Sequence, residues 1–146
     1  MSVDVHSEVL IQCRRDKVAE VVFDPKSSKI WLTGLTRVFP LSPGSLKKGS
    51  KVEHVGAFLG RHFSATLLIT RDEPGSFLEM SADEPFAMRI RYELKDAEAG
   101  TRMRIQVQSV ADLEFPMPAA TVSRSMQERI EADLKKLKKH MEENVD

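Results

Sequence analysis

The chain has 146 residues, a length that fits the single domain we assign to residues 1–146. Its 22 Lys and Arg residues balance 22 Asp and Glu residues, so no overall basic field exists to hold nucleic acid or an anionic membrane. The single cysteine, Cys13, excludes an internal disulfide and favours a cytoplasmic protein, and no apolar run of about 18 residues is present to span a membrane.

The first predicted elements are a strand and a helix. β-branched residues occupy alternate positions in Val3–Ile11, which predicts a strand. In the next segment, residues 13–25, valines fall at helical spacing and Pro25 closes the segment. A short helix is therefore expected there.

A second short helix is predicted within residues 26–34, "KSSKIWLTG". Ser27 or Ser28 is expected to cap its N-terminus, because serine side chains accept hydrogen bonds from the free N–H groups of a first turn. Gly34 is expected to end it.

From residue 36 to residue 113 the pattern is strand and turn. Stretches rich in Gly, Pro, Asp and Ser separate six apolar segments, as turns require. The candidate strands are Thr36–Leu41, Lys51–Phe58, Arg61–Thr70, Phe77–Ala82, Ala87–Leu94 and Arg102–Leu113. Apolar and polar residues alternate in the last two, which is typical of an antiparallel sheet with one buried and one solvated face.

A long helix completes the chain. Its apolar residues recur every three or four positions and form one stripe: Val122, Met126, Ile130, Leu134, Leu137 and Met141. Only this helix is large enough to cover the apolar face of the sheet. The predicted fold class is therefore α+β: a curved antiparallel sheet of about seven strands wrapped around a long C-terminal helix, with two short helices after the first strand. Ligand pockets occur where such a sheet and helix leave a space.

This order of elements resembles the START-related helix-grip superfamily (SRPBCC). More narrowly, it is similar to small bacterial polyketide cyclase/dehydrase and lipid-transport proteins. The resemblance rests on the helical segment from Asp24 to Trp31, on the hairpins of residues 58–80, "FLGRHFSATLLITRDEPGSFLEM", and on the C-terminal helix. It implies the fold but not an activity, since members range from enzymes to ligand carriers to co-chaperones.

The resemblance also implies where a ligand would bind. In the family, ligands lie between the long helix, the concave sheet face and the two short helices. Residues 44–54, "GSLKKGSKVEH", form a shorter connection than in longer lipid-transfer domains. The cavity is therefore expected to be small.

Residues 53–63, "EHVGAFLGRHF", carry two histidines around a Leu-Gly pair. With a two- or four-residue loop, His54 faces inward and His62 faces solvent. A three-residue loop with Gly60 in the left-handed conformation places both histidines outside but turns Glu53 inward. We favour the first register because burying an unpaired carboxylate is costly. Neither register brings both histidines into the interior, so no two-histidine metal or catalytic site is expected.

The resemblance implies a ligand cavity at Trp31, at the inward strand positions and at the helix stripe Val122, Met126 and Ile130. His54 can hydrogen-bond a ligand or act as a base, and the buried phenol of Tyr92 needs a partner that a ligand can supply; either can instead be a hydrogen-bonded core residue. Trp31 can stack on a flat ligand or fill the core. The predicted cavity residues are Trp31, His54, Phe58, Phe63, Met80, Met88, Tyr92, Met103, Ile105, Val122, Met126 and Ile130.

These residues favour the binding, and also the transport, of a small hydrophobic ligand such as a lipid or a polyketide-like metabolite. No cofactor and no metal are expected. One alternative is a cyclase or dehydratase with His54 as base and Tyr92 as proton donor or hydrogen-bond partner, which requires both groups to reach one ligand atom. The other is a co-chaperone-like interaction module, which requires a filled interior and an exposed apolar patch. The choice between a monomer and a homodimer stays open.

Overall fold

The structure, a computed structural model, describes residues 2–143. One seven-stranded antiparallel sheet has the strand order β1-β7-β6-β5-β4-β3-β2. Its strands are β1 Asp4–Ile11, β2 Leu35–Pro40, β3 Lys51–Phe58, β4 Arg61–Glu73, β5 Phe77–Ala82, β6 Met88–Ala97 and β7 Gly100–Ser109. The sheet curves around one long helix, so the predicted α+β helix-grip fold is confirmed.

The helices are α1 Arg15–Val22, α2 Ser28–Trp31, which directly follows a 3-10 turn at Pro25–Ser27, and α3 Ala119–Glu143. Asp24 caps the turn, because its carboxylate accepts hydrogen bonds from the Lys26 N–H and the Ser27 Oγ, both at 3.0 Å. Ser27 makes no capping bond with its side chain, and Ser28 lies inside α2. The predicted serine cap is therefore wrong: the acidic residue before Pro25 takes that role.

β7 ends four residues earlier than the sequence pattern indicates, at Ser109 rather than Leu113. Both of its neighbours end at the same level. Ser109 pairs with Met88, the first residue of β6, and exchanges hydrogen bonds of 2.8 Å with Val3 just before β1. Past Ser109, the Val110 N–H still donates a bond of 3.2 Å to the Ala87 carbonyl oxygen, and the regular ladder ends at this level.

α3 covers the concave face and packs mainly along β1 and α2. Its predicted apolar stripe is buried throughout: Val122, Met126, Ile130, Leu134, Leu137 and Met141. The core therefore lies between this stripe and the inward-facing residues of the strands.

A two-residue turn joins β3 to β4. Leu59 and Gly60 have φ angles of 51° and 76°, the positive values that a type I′ hairpin turn requires. This turn pairs Phe58 with Arg61 and His54 with Ala65. His54 therefore belongs to the concave face while His62 lies exposed on the other side, which confirms the favoured register.

Two glycines allow the α2–β2 corner to approach β3 closely. A Cβ on Gly56 would overlap the carbonyl oxygen of Gly34, and a Cβ on Gly34 would lie 2.8 Å from Nη2 of Arg129. Larger residues at either position would push the corner away from β3. The corner thus leaves just enough room for the Arg129 guanidinium.

Candidate functional site

A cavity lies between the concave sheet face, the α2–β2 connection and the middle of α3. The space open to the centre of a water molecule is ≈ 90 Å³, several times the roughly 10–15 Å³ that one water needs. Apolar side chains form most of the wall: Leu32, Leu35, Phe63, Ala65, Leu67, Ala82, Pro85, Met88, Ile90, Ile105, Val107, Met126 and Ile130. The polar lining residues are Thr33, His54, Glu84, Tyr92, Arg129 and Asp133.

The cavity brings together seven of the twelve residues predicted from the sequence: His54, Phe63, Met88, Tyr92, Ile105, Met126 and Ile130. The other five are buried but do not line it: Trp31, Phe58, Met80, Met103 and Val122. Strand alternation and helix periodicity predict which face a residue occupies. They do not predict where the helix and the sheet separate, and that decides which inward residues border a space.

His54 projects from the middle of β3 into this cavity and is 9% exposed. Burial lowers the pKa of its imidazole to about 4, and the positive charge of Arg129 acts in the same direction. The ring is therefore neutral at pH 7, with one nitrogen that donates and one that accepts. Within residues 2–143 its ring has no hydrogen-bond partner.

Tyr92 lies on β6, and Trp31 packs behind it with the ring centroids 5.4 Å apart. Trp31 thus fills the core beside the cavity and fixes the phenol ring. Burial raises the pKa of the Tyr92 hydroxyl, and the negative charge of Asp133 raises it further. The phenol is a permanent donor at physiological pH, and across the described chain no group hydrogen-bonds to it.

Arg129, which the sequence interpretation missed, enters the cavity wall from α3. Its Nη1 donates a hydrogen bond of 2.9 Å to the carbonyl oxygen of Ala57. Its guanidinium carbon lies 5.6 Å from the centre of the Phe58 ring and 5.7 Å from that of Phe63, within the range of a cation–π contact. Burial lowers its pKa and the Asp133 charge opposes this effect.

Asp133, also missed, is 5% exposed and lies one turn after Arg129. Its Oδ1 accepts a hydrogen bond of 2.7 Å from the backbone N–H of Thr33. Burial raises the pKa of the carboxyl to about 6, against the opposing effects of Thr33 and of the Arg129 and Lys136 charges. No cationic group of residues 2–143 comes within 4.0 Å of this carboxylate.

Thr33 contributes a polar atom with unused capacity. Its Oγ1 is buried and has no hydrogen-bond partner within residues 2–143. The hydroxyl lies close enough to Asp133 to lower the pKa of that carboxyl, but without the geometry of a hydrogen bond. Buried hydroxyls are normally paired, so a group that completes this bond would be stabilised here.

A signal for Asp133 is present in the sequence. Met126, Ile130, Asp133 and Leu137 follow one another at spacings of four, three and four, so the carboxylate interrupts the buried stripe of α3. A charged residue at a stripe position is a marked exception, since charges are rarely buried without a function or a partner.

Within residues 2–143 no group of three or more His, Cys, Asp or Glu residues is arranged to hold a metal ion. The helices in this part of the chain are all too short or too polar to cross a lipid bilayer.

Sequence comparison gives a family match over nearly the whole chain. The family described as polyketide cyclase / dehydrase and lipid transport matches residues 2–142. No curated protein matches the sequence.

Solved structures of similar shape come from several bacteria. A START superfamily protein from Mycobacterium smegmatis is 13% identical with a TM-score of 0.81, covering 97% of this chain and 99% of its own. A protein from Thermus thermophilus is 16% identical with a TM-score of 0.79, covering 98% and 99%. A Staphylococcus aureus protein of unknown function is 17% identical with a TM-score of 0.75, covering 98% and 95%. At these identities the likeness shows the fold alone.

Proposed function

We propose that this chain, which belongs to the polyketide cyclase / dehydrase and lipid-transport family, binds a small hydrophobic molecule in the cavity between α3 and the concave sheet face. One observation carries the proposal: a largely apolar wall surrounds polar groups that include the side chains of Thr33, His54 and Tyr92, which have no hydrogen-bond partner within residues 2–143. Apolar burial would supply affinity at roughly 25 cal/mol per Å², and His54, Tyr92 and Arg129 would orient the ligand.

The volume of the cavity restricts the ligand. The value of ≈ 90 Å³ lies well below the roughly 300–1,000 Å³ of pockets for drug-sized molecules. We therefore propose a compact ligand, such as one ring with a short chain, drawn from the lipid-like or polyketide-like molecules. An interaction module with a filled interior is the weaker hypothesis, because the interior is not filled. The single cysteine supports a cytoplasmic location for this function.

A cyclase or dehydratase is the second candidate, since ionisable groups converge on the same cavity. With a pKa of about 6, Asp133 is better matched to proton transfer near neutral pH than His54, whose pKa is about 4. The base of such an enzyme would then be Asp133 rather than His54, with Tyr92 as a hydrogen-bond donor to the substrate because its raised pKa keeps the phenol protonated.

A variant with a filled cavity tests the binding proposal. Ala65 lines the cavity, whereas its neighbour Ser64 is exposed on the other face of β4. The fluorescence of Trp31, the single tryptophan, reports on the cavity because its ring packs on Tyr92. Titration with 4-phenylbutan-1-ol should change this fluorescence saturably in the wild type and in Ser64→Phe, but not in Ala65→Phe.

Native mass spectrometry of the purified protein gives a second readout, in which a bound small molecule should be present in the wild type and lost in Ala65→Phe. Binding that survives in Ala65→Phe would place the ligand elsewhere and contradict the proposal. Turnover of a polyketide-like ketone that disappears in Asp133→Asn would favour the enzyme over the carrier.

A further inference from the structure

The guanidinium of Arg129 is fixed in place but has donors to spare. Arginine carries five N–H donors and no acceptor. Here, one bond of 2.9 Å from Nη1 to the Ala57 carbonyl oxygen and the flanking rings of Phe58 and Phe63 set its position. No carboxylate oxygen of residues 2–143 lies within 4.0 Å of it. A positive charge is thus held in the cavity wall without a counterion in contact from the described chain.

Asp133 does not serve as that counterion in spite of its place one turn away. Its Oδ1 is directed to the Thr33 N–H at 2.7 Å, on the α2–β2 connection, while Arg129 is directed to β3. The two opposite charges share one wall but each is oriented by a different backbone group. The donors of Arg129 are therefore left for a molecule inside the cavity.

Three of the other polar groups around the space add donors, while Glu84 and Asp133 line it as carboxylates. Tyr92 offers a phenol O–H, neutral His54 offers one ring N–H, and the Thr33 hydroxyl is unpaired within the described chain. These donors, together with the unused N–H groups of Arg129, are complementary to a ligand whose polar end consists of acceptor oxygens. A carboxylate fits best, because its two oxygens match the fork of a guanidinium in a bidentate, charge-assisted pair.

We infer that the ligand of this cavity is a small hydrophobic carboxylic acid, whose carboxylate binds Arg129 and whose apolar part packs against Met88, Ile90 and Ile105. This inference rests on the proposed binding function and adds the chemical class of the ligand. Arg129 is the residue that selects an acid over a neutral molecule of the same shape.

Two matched probes test the selection: 4-phenylbutanoate and 4-phenylbutan-1-ol, which differ in the polar end. Affinities are measured by Trp31 fluorescence and by calorimetry at neutral pH. The wild type should bind the acid about tenfold or more tightly than the alcohol, as expected for a charge-assisted pair. In Arg129→Gln this preference should fall to within about twofold. Arg124→Gln, an exposed position on the same helix, should keep the full preference.

The possible outcomes separate the two proposals. Equal affinity of the wild type for both probes, or a preference that persists in Arg129→Gln, overturns the carboxylate inference while binding stands. Failure of the wild type to bind either probe contradicts the binding function itself. If Arg129→Gln does not fold, Arg129→Lys decides: the ammonium lacks the planar fork, so the preference should drop at least about threefold, and an unchanged preference overturns the inference.

Discussion

Two carboxylates with similarly low solvent exposure lie on opposite sides of the sheet, and their pKa values shift in opposite directions. Glu79, 8% exposed, projects from the outer face of β5, and Asp133, 5% exposed, faces the cavity from α3. Glu79 accepts hydrogen bonds from Arg91 Nε at 2.9 Å and from Thr70 Oγ1 at 3.0 Å. Asp133 accepts one from a backbone N–H and has no cation in contact within the described residues.

The pKa values follow both the depth of each carboxyl and its partners. Burial raises the pKa of Glu79, but the bonds from Arg91 and Thr70 and the nearby arginine charges outweigh it and hold the pKa below its usual value. For Asp133 burial wins, and the pKa rises to about 6. Strand register places Arg91 directly opposite Glu79, whereas Arg129 is directed away from Asp133. On the outer face, Glu79 is thus paired with a cation, whereas Asp133 and Arg129 in the cavity are not paired with each other.

The largest expected effect is on the pH dependence of the free energy of unfolding. The pKa of Asp133 is raised from 3.8 to about 6, so its stabilising contribution is complete below pH 3.8 and is lost as the pH rises through 6. The pKa of His54 is lowered from 6.5 to about 4, so its contribution is complete above pH 6.5 and is lost as the pH falls through 4. At about 1.4 kcal/mol per pKa unit, each amounts to about 3 kcal/mol, and in the wild type the two largely cancel.

Substitution of either Asp133 or His54 removes one of the two opposing contributions, so the pH dependence caused by the other becomes measurable. In Asp133→Asn, the free energy of unfolding relative to the wild type should increase by about 3 kcal/mol between pH 4 and pH 6.5. In His54→Gln it should decrease by a similar amount over the same interval. Urea denaturation at a series of pH values measures both slopes. A difference profile that stays flat in Asp133→Asn would show that this carboxyl titrates normally.

A smaller effect on stability is expected from breaking the ion pair between Arg91 and Glu79 on the outer face of the sheet. Arg91→Leu leaves the Glu79 carboxylate with little exposure and without its cation, and should lower the free energy of unfolding by about 2 kcal/mol. The double variant Glu79→Leu/Arg91→Leu should recover much of this loss, since no unpaired charge remains. Chemical denaturation measures both, with Arg89→Leu on the same strand as the control. If the double variant is no more stable than Arg91→Leu, the unpaired carboxylate is not the cause.

The smallest effect compares two threonines, one on each side of the sheet. Thr70→Val removes hydrogen bonds to Glu79 and should lower the free energy of unfolding by about 1 kcal/mol. Thr33→Val replaces a hydroxyl without a hydrogen-bond partner in residues 2–143 and should leave stability unchanged or raise it slightly. Thermal unfolding of the two variants gives the comparison, and a loss in Thr33→Val as large as that in Thr70→Val would mean that the hydroxyl is bonded after all.

The fold was accessible from the sequence because its signals are local and repeated. Alternation of apolar residues gave the bounds of β3 and β5 as the structure has them, Lys51–Phe58 and Phe77–Ala82. The stripe of α3 and the predicted superfamily are confirmed as well. Strand ends were less accessible, because β4 continues to Glu73 and β7 stops at Ser109 according to where their neighbours lie.

The candidate site was accessible only in part. The side that His54 and Tyr92 face follows from strand alternation and turn length. Arg129 did not follow from any pattern, since charged residues on a surface helix are ordinarily solvated. Asp133 had a signal, its position within the apolar stripe of α3, that the sequence interpretation did not use. Their burial depends on the α2–β2 corner, where Gly34 lies against Gly56 of β3. This is a contact between α3, the α2–β2 connection and β3, which are far apart in the chain.

The length of the turn at Leu59–Gly60 decides which side chains of β4 face the cavity together with His54. Side chains in a strand alternate with a period of two, so one added residue would force a bulge or turn β4 over relative to β3. Two added residues would keep His54 opposite Ala65. Insertions or deletions tolerated at this hairpin are therefore expected in even numbers. The His54 imidazole thus faces the cavity because the length of a surface turn sets the strand register, and not because a hydrogen bond of its side chain holds it there.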